Sequence, residues 1–422
     1  MRNDDVRKYV NNIVEREGMN IGKFITVEKR DKNTKRDFLF VNKEQCKHIP
    51  CKASDMIDMC KALGEGVASI LKERKSKSCL VIGFAETATA IGQIVADTLD
   101  FGVKQCAVKY TVTTREDVQG TENLLTFEEE HSHATTQKLL CVEGVTDNDI
   151  SDYDTVVFVD DELTTGNTII NFIKALKSKS KTEFNGHFVV ASVCNWQDKA
   201  SKKRFEGHGI ETVALFSGEI ADVNAKVIGE YSENSGLMEY VPSSSNVTYL
   251  DLRDTEYKEM MFESSRVVDD IMYKREYAVE TCDKILDLLG VDIRNNGYKH
   301  IRVIGTEEFM YVPIKLALGL EKTVKGGVDV VCQATTRSSI AVSKEHSSFK
   351  DSIVCKSKVS SVYSKDRNTY IYNLVHRAKG GSTEREQELV LLITDSSNEK
   401  QVKKLSEELS GLTNSKVYAI LV

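Results

Sequence analysis

Three features of the chain predict an α/β fold built on a mostly parallel sheet. Short apolar runs alternate with helical stretches, two of the runs open onto small-residue turns that lead straight into helices, and the whole pattern occurs twice in 422 residues. The clearest instance is residues 156–168, VVFVDDELTTGNT. Four apolar residues run into two adjacent carboxylates, Asp160 and Asp161, and a Thr-Thr-Gly turn, and NTIINFIKAL then resumes at helical spacing. A buried parallel strand gives such an unbroken apolar run, and Gly166 permits the sharp return into a helix. The amides of Gly166, Asn167 and Thr168, with the hydroxyls of Thr164, Thr165 and Thr168, would then surround the positive end of that helix. Such a position suits a phosphate.

The length exceeds what one hydrophobic core usually serves, so two domains are expected. Hydrophobic residues at 41% and charged residues at 29% are ordinary for a globular protein. A net charge of −7 argues against a nucleic-acid surface, whose affinity comes from a basic footprint. The ten cysteines include no CxxC pair, and the closest two, Cys46 and Cys51, have no matching pair downstream, which disfavours zinc. Cysteines in apolar stretches (Cys79, Cys106, Cys194, Cys332) fit reduced core positions and a cytoplasmic location. The first residues, MRNDDVRKYV, carry no apolar leader, and no run approaches membrane-spanning length.

Residues 1–20 show a weakly helical pattern, and two strand-like runs, 24–27 and 38–41, flank a charged turn as a hairpin able to act as a hood over a site. Lys47 and His48 close that segment as candidates for contact with a substrate. Residues 56–75 read as an amphipathic helix, followed by a strand over 80–82, a turn of Gly83, Phe84, Ala85, Glu86 and Thr87, and another helix. This turn is a second anion-binding loop. A strand is expected over 105–112. Residues 113–150 form a long polar stretch containing Arg115, His131, His133 and Lys138, and connections of that length are usually functional or disordered. Two more strands follow at 187–194 and 211–216, with the sole tryptophan, Trp196, in CNWQD just beyond the first. In an open sheet of this kind the ligand lies off the strands' C-terminal ends.

A polar stretch with a serine run, 231–246, marks a boundary, and a long helical region is expected over 254–289. The chain then repeats itself. KHIRVIGTEEFMYVPIKLALGLEK resembles SCLVIGFAETATAIGQIVADTL. Each is followed by TTR, with Arg115 standing 32 residues after Gly83 and Arg337 32 residues after Gly305. Each TTR leads to EHS, the second containing His346, and LVLLITDSS stands where the acid-pair strand stood. Four ordered agreements indicate two copies of one unit. The second copy lacks the first acid, the glycine and the final threonine of the phosphate turn. The expected division is 1–235, 236–290 as a linking and helical segment, and 291–422.

The acid pair joined to TTGNT resembles the signature of type I phosphoribosyltransferases, which bind phosphoribosyl pyrophosphate (PRPP). The KHIP, GFAETAT, TTR and EHSHAT segments, with GTEEFMY and TTRSS later, are similar to the two-domain family associated with tellurite-resistance gene clusters. Its second domain is called TRSP; Thr336, Arg337 and Ser338 match that string while Ser339 replaces its proline. The resemblance implies a parallel sheet flanked by helices, followed by a degenerate α/β copy. It further implies Asp160 and Asp161 at the ribose hydroxyls and a hydrated Mg²⁺, the turn Thr164 to Thr168 at the 5′-phosphate, Glu162 among the PRPP-binding residues, and the Gly83 loop at the pyrophosphate. Arg115 and His131 are then the first catalytic candidates, with Lys109, Lys138 and His133 behind them. Threonine at 164, where purine-type enzymes for 6-oxopurines carry aspartate, resembles the orotate type. Trp196, Lys47, His48, Arg337 and His346 are candidates for the acceptor side. PRPP and a small-molecule acceptor are the implied partners, in a homodimer or an intramolecular pseudo-dimer. The alternative on the same fold is a non-catalytic sensor of PRPP or nucleotides.

Overall fold

The computed structural model describes residues 5–31, 36–118, 121–128, 136–142, 149–227, 231–232, 237–238, 246–253, 266–324, 326–343, 350–374 and 388–422. Its first half contains β1 (Val10–Glu15), α1 (Ile21–Phe24), β2 (Ile25–Lys29), β3 (Phe38–Asn42), α2 (Ala53–Arg74), β4 (Ser78–Gly83), α3 (Thr89–Gly102) and β5 (Ala107–Thr114). These are followed by β6 (Thr121–Glu128), β7 (Thr136–Val142), β8 (Thr155–Leu163), α4 (Asn167–Lys179), β9 (His187–Asn195), α5 (Lys199–Gly207) and β10 (Ile210–Ile220). Five parallel strands, β10-β9-β8-β4-β5, form the centre of one sheet. Strand β8 carries an unbroken buried run from Thr155 to Val159, as a strand covered on both faces requires. One face packs Phe158 and Val190 against Phe172 and Leu176 of α4; the other packs Val81 and Val157 with Met56, Leu63 and Ile91 of α2 and α3.

Two expectations fail here, for identifiable reasons. The weakly helical first residues are mainly a strand: β1 lies antiparallel on β10, which satisfies backbone groups that a short, polar helix would leave in water. The polar stretch 113–150 is not one loop. Strands β6 and β7 form a hairpin that continues the sheet beyond β5, burying Leu125, Phe127 and Leu139 on one side. Hydrophobic alternation was present there but hidden among charges.

The second half contains β11 (Tyr231–Ser232), β12 (Leu237–Met238), β13 (Val247–Asp251), β14 (Asp269–Asp270), α6 (Ile271–Asn295), β15 (His300–Gly305), α7 (Tyr311–Thr323) and β16 (Asp329–Ala334). Then come β17 (Val342–Ser343), β18 (Lys356–Ser360), β19 (Asn368–Tyr372), β20 (Glu388–Thr394), α8 (Glu399–Thr413) and β21 (Lys416–Leu421). Asp270 caps helix α6, accepting from the Met272 amide, and residues 254–265 of the expected helical region lie outside the described residues. The sheet order β13-β21-β20-β15-β16 repeats the order of the first sheet, except that the fifth place is taken by β13, from the segment between the halves.

The halves meet through reciprocal contacts. Helices α2 and α3 pack on α6 and α7, and one apolar core runs through Met56, Leu63, Ile91 and Leu99 into Ile285, Leu289, Ile314 and Leu320. Each half also lends a short strand to the other's sheet edge. Cys51, two residues before α2, pairs with Cys332 of β16, and Asp269, two before α6, pairs with Tyr110 of β5. Tyr110 and Cys332 both stand 27 residues beyond their loop glycines.

Candidate functional site

The C-terminal ends of β4, β5 and β8 lie side by side, with Gly83 opposite both Val112 and Val159. Beyond β8 the chain reaches Gly166, whose φ of +71° belongs to the left-handed region. A Cβ there would stand 2.2 Å from the Phe205 ring, so glycine is required twice over. Helix α4 begins immediately after. The amides of Gly166 and Thr168 have no intramolecular acceptor among the described residues, and that of Asn167 donates to the Thr165 hydroxyl at 3.4 Å. The amides and the helix end together form an anion cradle of the kind expected from the sequence. Arg204 of α5 extends to it, donating to the Thr165 carbonyl and the Asn167 side chain at 3.3 Å each.

The acids just upstream differ in their surroundings. The Asp161 carboxyl is pushed up by burial and by Glu162 beside it, while hydrogen bonds involving Asp160 and Thr87 oppose the shift. Asp160 and Asp161 offer hard oxygen donors side by side, which fits a hydrated Mg²⁺. Glu162, expected among the PRPP-binding residues, takes a two-point ion pair from Arg36 on the hood hairpin, at 2.7 and 3.2 Å. Arg36 also lies over the Phe38 and Phe40 rings. The hood is thereby fastened to the end of β8.

In the second anion loop, Phe84 donates to the Val159 carbonyl at 3.0 Å, Ala85 donates to the Thr113 hydroxyl at 2.9 Å, and Gln137 donates to the Ala85 carbonyl at 3.3 Å. The Ala85–Glu86 peptide is cis. The amides of Glu86 and Thr87 have no intramolecular acceptor among the described residues and are available to an anion. The Glu86 side chain is not available. It lies buried between Lys47, at 2.9 Å, and Arg337, which reaches it through its amide at 3.3 Å and its guanidinium at 3.6 Å. Burial would raise this carboxyl, but Lys47 and Arg337 outweigh it and hold Glu86 at about 2.

The counterpart contact completes a reciprocal arrangement. Glu308, the same distance after Gly305 as Glu86 is after Gly83, accepts from the Arg115 amide at 3.1 Å and the Thr114 hydroxyl at 2.5 Å. Arg337 and Arg367 both pair with Glu116, the residue after Arg115. The second half therefore holds both the Gly83 loop and the TTR segment of the first half.

The sequence-predicted candidates divide accordingly. Arg115, Lys47 and Arg337 come together around Glu86. His48 is buried against Tyr372, and burial with the neighbouring Lys47 charge lowers it to about 4, so it is neutral at ordinary pH. Trp196 is a core residue 3% exposed, packed on Phe40 at 5.1 Å beneath the hood, rather than an open stacking platform. Lys138 is paired with Asp117. Lys109 sits near the start of β5, at the opposite end of the strand from the site. His131, His133 and His346 lie outside the described residues.

Residues 24–219 match the model of a phosphoribosyl transferase family, and residues 275–409 match the TRSP domain that lies C-terminal to it. The chain belongs to this phosphoribosyl transferase family. No curated protein matches. Among solved structures, adenine phosphoribosyl transferase from Trypanosoma brucei is 13% identical over 52% of this chain and 86% of its own, with a TM-score of 0.33. The enzyme from Giardia lamblia is 18% identical over 45% and 92%, with a TM-score of 0.29. Orotate phosphoribosyltransferase from Aeropyrum pernix is 21% identical over 39% and 71%, with a TM-score of 0.24.

Within the TRSP half, the position equivalent to the acid pair is filled by the protein itself. Asp395 is paired with Arg266 and accepts from the Tyr363 hydroxyl at 2.5 Å, and Thr306 and Thr394 are joined at 3.0 Å. The lost turn residues already pointed to a second site that does not hold a sugar phosphate in the same way; the side chains that fill it did not stand out. The phosphoribosyl transferase half likewise recruits Arg36, Gln137 and Arg204, none of which sequence reasoning had selected. Arg204 was concealed in the charge run KASKKRF, and Gln137 in a stretch read as loop.

Proposed function

We propose that the first half is a Mg²⁺-dependent phosphoribosyltransferase that uses PRPP and a base-like acceptor, or runs the reverse phosphorolysis. The observation that carries this reading is the convergence, at the ends of three adjacent strands, of two loops with free amides and a carboxylate pair. The cradle at Gly166 would take the 5′-phosphate, Asp160 and Asp161 the ribose hydroxyls, and the amides of Glu86 and Thr87 the pyrophosphate. Bound Mg²⁺ would neutralise charge on the departing pyrophosphate. As the C1′–O bond breaks and the sugar gains oxocarbenium character, Arg115 and the loop amides stabilise the leaving group. His131 is retained as a candidate proton donor on the same polar segment.

The acceptor is proposed to be anionic, in keeping with Thr164. Arg30 of the hood supports this: among the described residues it has no carboxylate within ion-pairing distance, its Nε is buried without a partner, and a second guanidinium, Arg36, lies nearby. Burial and Arg36 both lower its affinity for its own proton, and Glu162 compensates only in part. The TRSP half contributes a wall, since residue 340 bridges to Arg30 and the Asp31 amide donates to the Ser339 carbonyl.

Incubation with PRPP, Mg²⁺ and a metabolite extract, following pyrophosphate release and new ribosylated masses, tests the reading. The Asp160→Asn/Asp161→Asn variant should lose roughly 10²-fold or more of the rate. Equal product from that variant would rule out this site. PRPP binding with no turnover on any acceptor would favour the sensor.

A further inference from the structure

Cys46 and Cys51 bracket the KHIP segment, and their sulfurs lie 3.3 Å apart. Cys46 adopts a φ of +51°, in the left-handed region that non-glycine residues seldom occupy. Its amide donates to the Cys51 sulfur at 3.2 Å, so the turn folds back and points one thiol at the other. Their environments are unequal. Cys46 is fully buried, whereas Cys51 is partly exposed and lines a groove of about 330 Å³ whose charged residues are of both signs, Lys23, Lys43 and Lys52 beside Glu44, Asp55 and Asp351. An accessible thiol with a second, resolving thiol in contact with it is an arrangement that oxidants convert to a disulfide.

From this geometry we infer that Cys46 and Cys51 form an oxidisable dithiol that controls the support of the pyrophosphate loop. A hydroperoxide would transfer its terminal oxygen to the Cys51 sulfur as the O–O bond breaks; the thiol proton ends on the sulfenic acid or on the departing oxygen, so Cys51–SH and R′OOH give Cys51–SOH and the corresponding alcohol or water. The Cys46 sulfur then attacks the Cys51 sulfur, and the Cys46 proton departs with the sulfenic hydroxyl as water. The hydroperoxide is reduced by two electrons and the two thiols are oxidised by two. A small approach of the sulfurs suffices to form the bond, whose length is about 2.05 Å.

The consequence follows from what lies between the two cysteines. Lys47 is the residue after Cys46, and it reaches Glu86 at 2.9 Å and the Glu307 carbonyl. His48 follows it, packed on Tyr372. Cys51 is itself hydrogen-bonded through both backbone groups to Cys332 in the other half, at 3.2 and 2.8 Å. Closing the ring over residues 46–51 must re-aim Lys47 while Cys51 stays anchored to β16. The contact that gives way is the one between Lys47 and the Gly83 loop.

The test treats the full-length protein with hydrogen peroxide, then blocks free thiols and digests it with trypsin. Cleavage after Lys43, Lys47 and Lys52 should leave residues 44–47 disulfide-linked to residues 48–52. Oxidised protein should bind PRPP roughly tenfold more weakly, the size of one lost charge-assisted contact, and recover on reduction. Cys51→Ser, at the partly exposed position, should form no link and show no oxidative loss. Absence of the linked peptides, or linkage elsewhere, overturns the dithiol. Linkage with unchanged PRPP affinity overturns the control. The binding readout rests on the phosphoribosyl reading, whereas the peptide linkage does not; reduced protein that fails to bind PRPP would count against that reading and leave the linkage result standing.

Discussion

Glu86 and His48 sit within the same few residues' reach of Lys47, and burial acts on them with different outcomes. Glu86 keeps its charge because Lys47 and Arg337 outweigh the cost of burial; His48 loses its charge because burial and Lys47 act in the same direction. Both make the protein sensitive to acid. Below pH 6.5 an unfolded His48 takes a proton that the folded ring refuses until about 4, so stability falls as pH drops through that window. An unfolded Glu86 takes a proton below 4.5 while the folded carboxylate resists until about 2, which adds a second loss at lower pH. Each contributes on the order of 3 kcal/mol. Denaturant midpoints measured from pH 7 to pH 3 should show both losses, and His48→Gln should remove the first. Parallel curves for wild type and variant between pH 6.5 and 4 would refute the assignment.

At the scale of elements, the hood hairpin is the part whose role depends most on what surrounds it. Strands β2 and β3 were legible as strands, but the sequence did not reveal that Arg36 would clamp Glu162, nor that residues 29–31 would pair beside the TRSP half. On the proposed reading, Arg30 is the guanidinium that would receive an acidic acceptor. Arg30→Ala should raise the KM for the acceptor by roughly tenfold or more while leaving the KM for PRPP nearly unchanged, since a charge-assisted contact is worth about 1.5–3 kcal/mol. A parallel rise in both constants would indicate collapse of the hood instead.

At the scale of the molecule, the two halves behave as a dimer joined in one chain, each supplying an edge strand and a glutamate to the other. The first half retains the phosphate turn, and the other half braces its loops. Arg337 is then a positioning residue. Arg337→Ala should lower kcat/KM for PRPP by roughly 10- to 100-fold, because it leaves Glu86 and Glu116 buried with fewer partners. Rescue in part by Arg337→Lys, with an unaltered melting temperature, would separate positioning from general stability. Unchanged turnover in the alanine variant would reduce the second half to a packing role.

Strand periodicity, the acid pair, Gly166 and the 32-residue spacing of the two TTR segments were all determined by the sequence, since each depends on local backbone demands or on order along the chain. The repeated spacing even implied two related units. Tertiary structure alone decided how they meet: Glu86 with Arg337, Glu308 with Arg115, Arg36 with Glu162, and the burial of Trp196 beneath Phe40. These contacts join residues far apart in the chain, and the cost of burying a charge is set by whichever partner the fold brings to it.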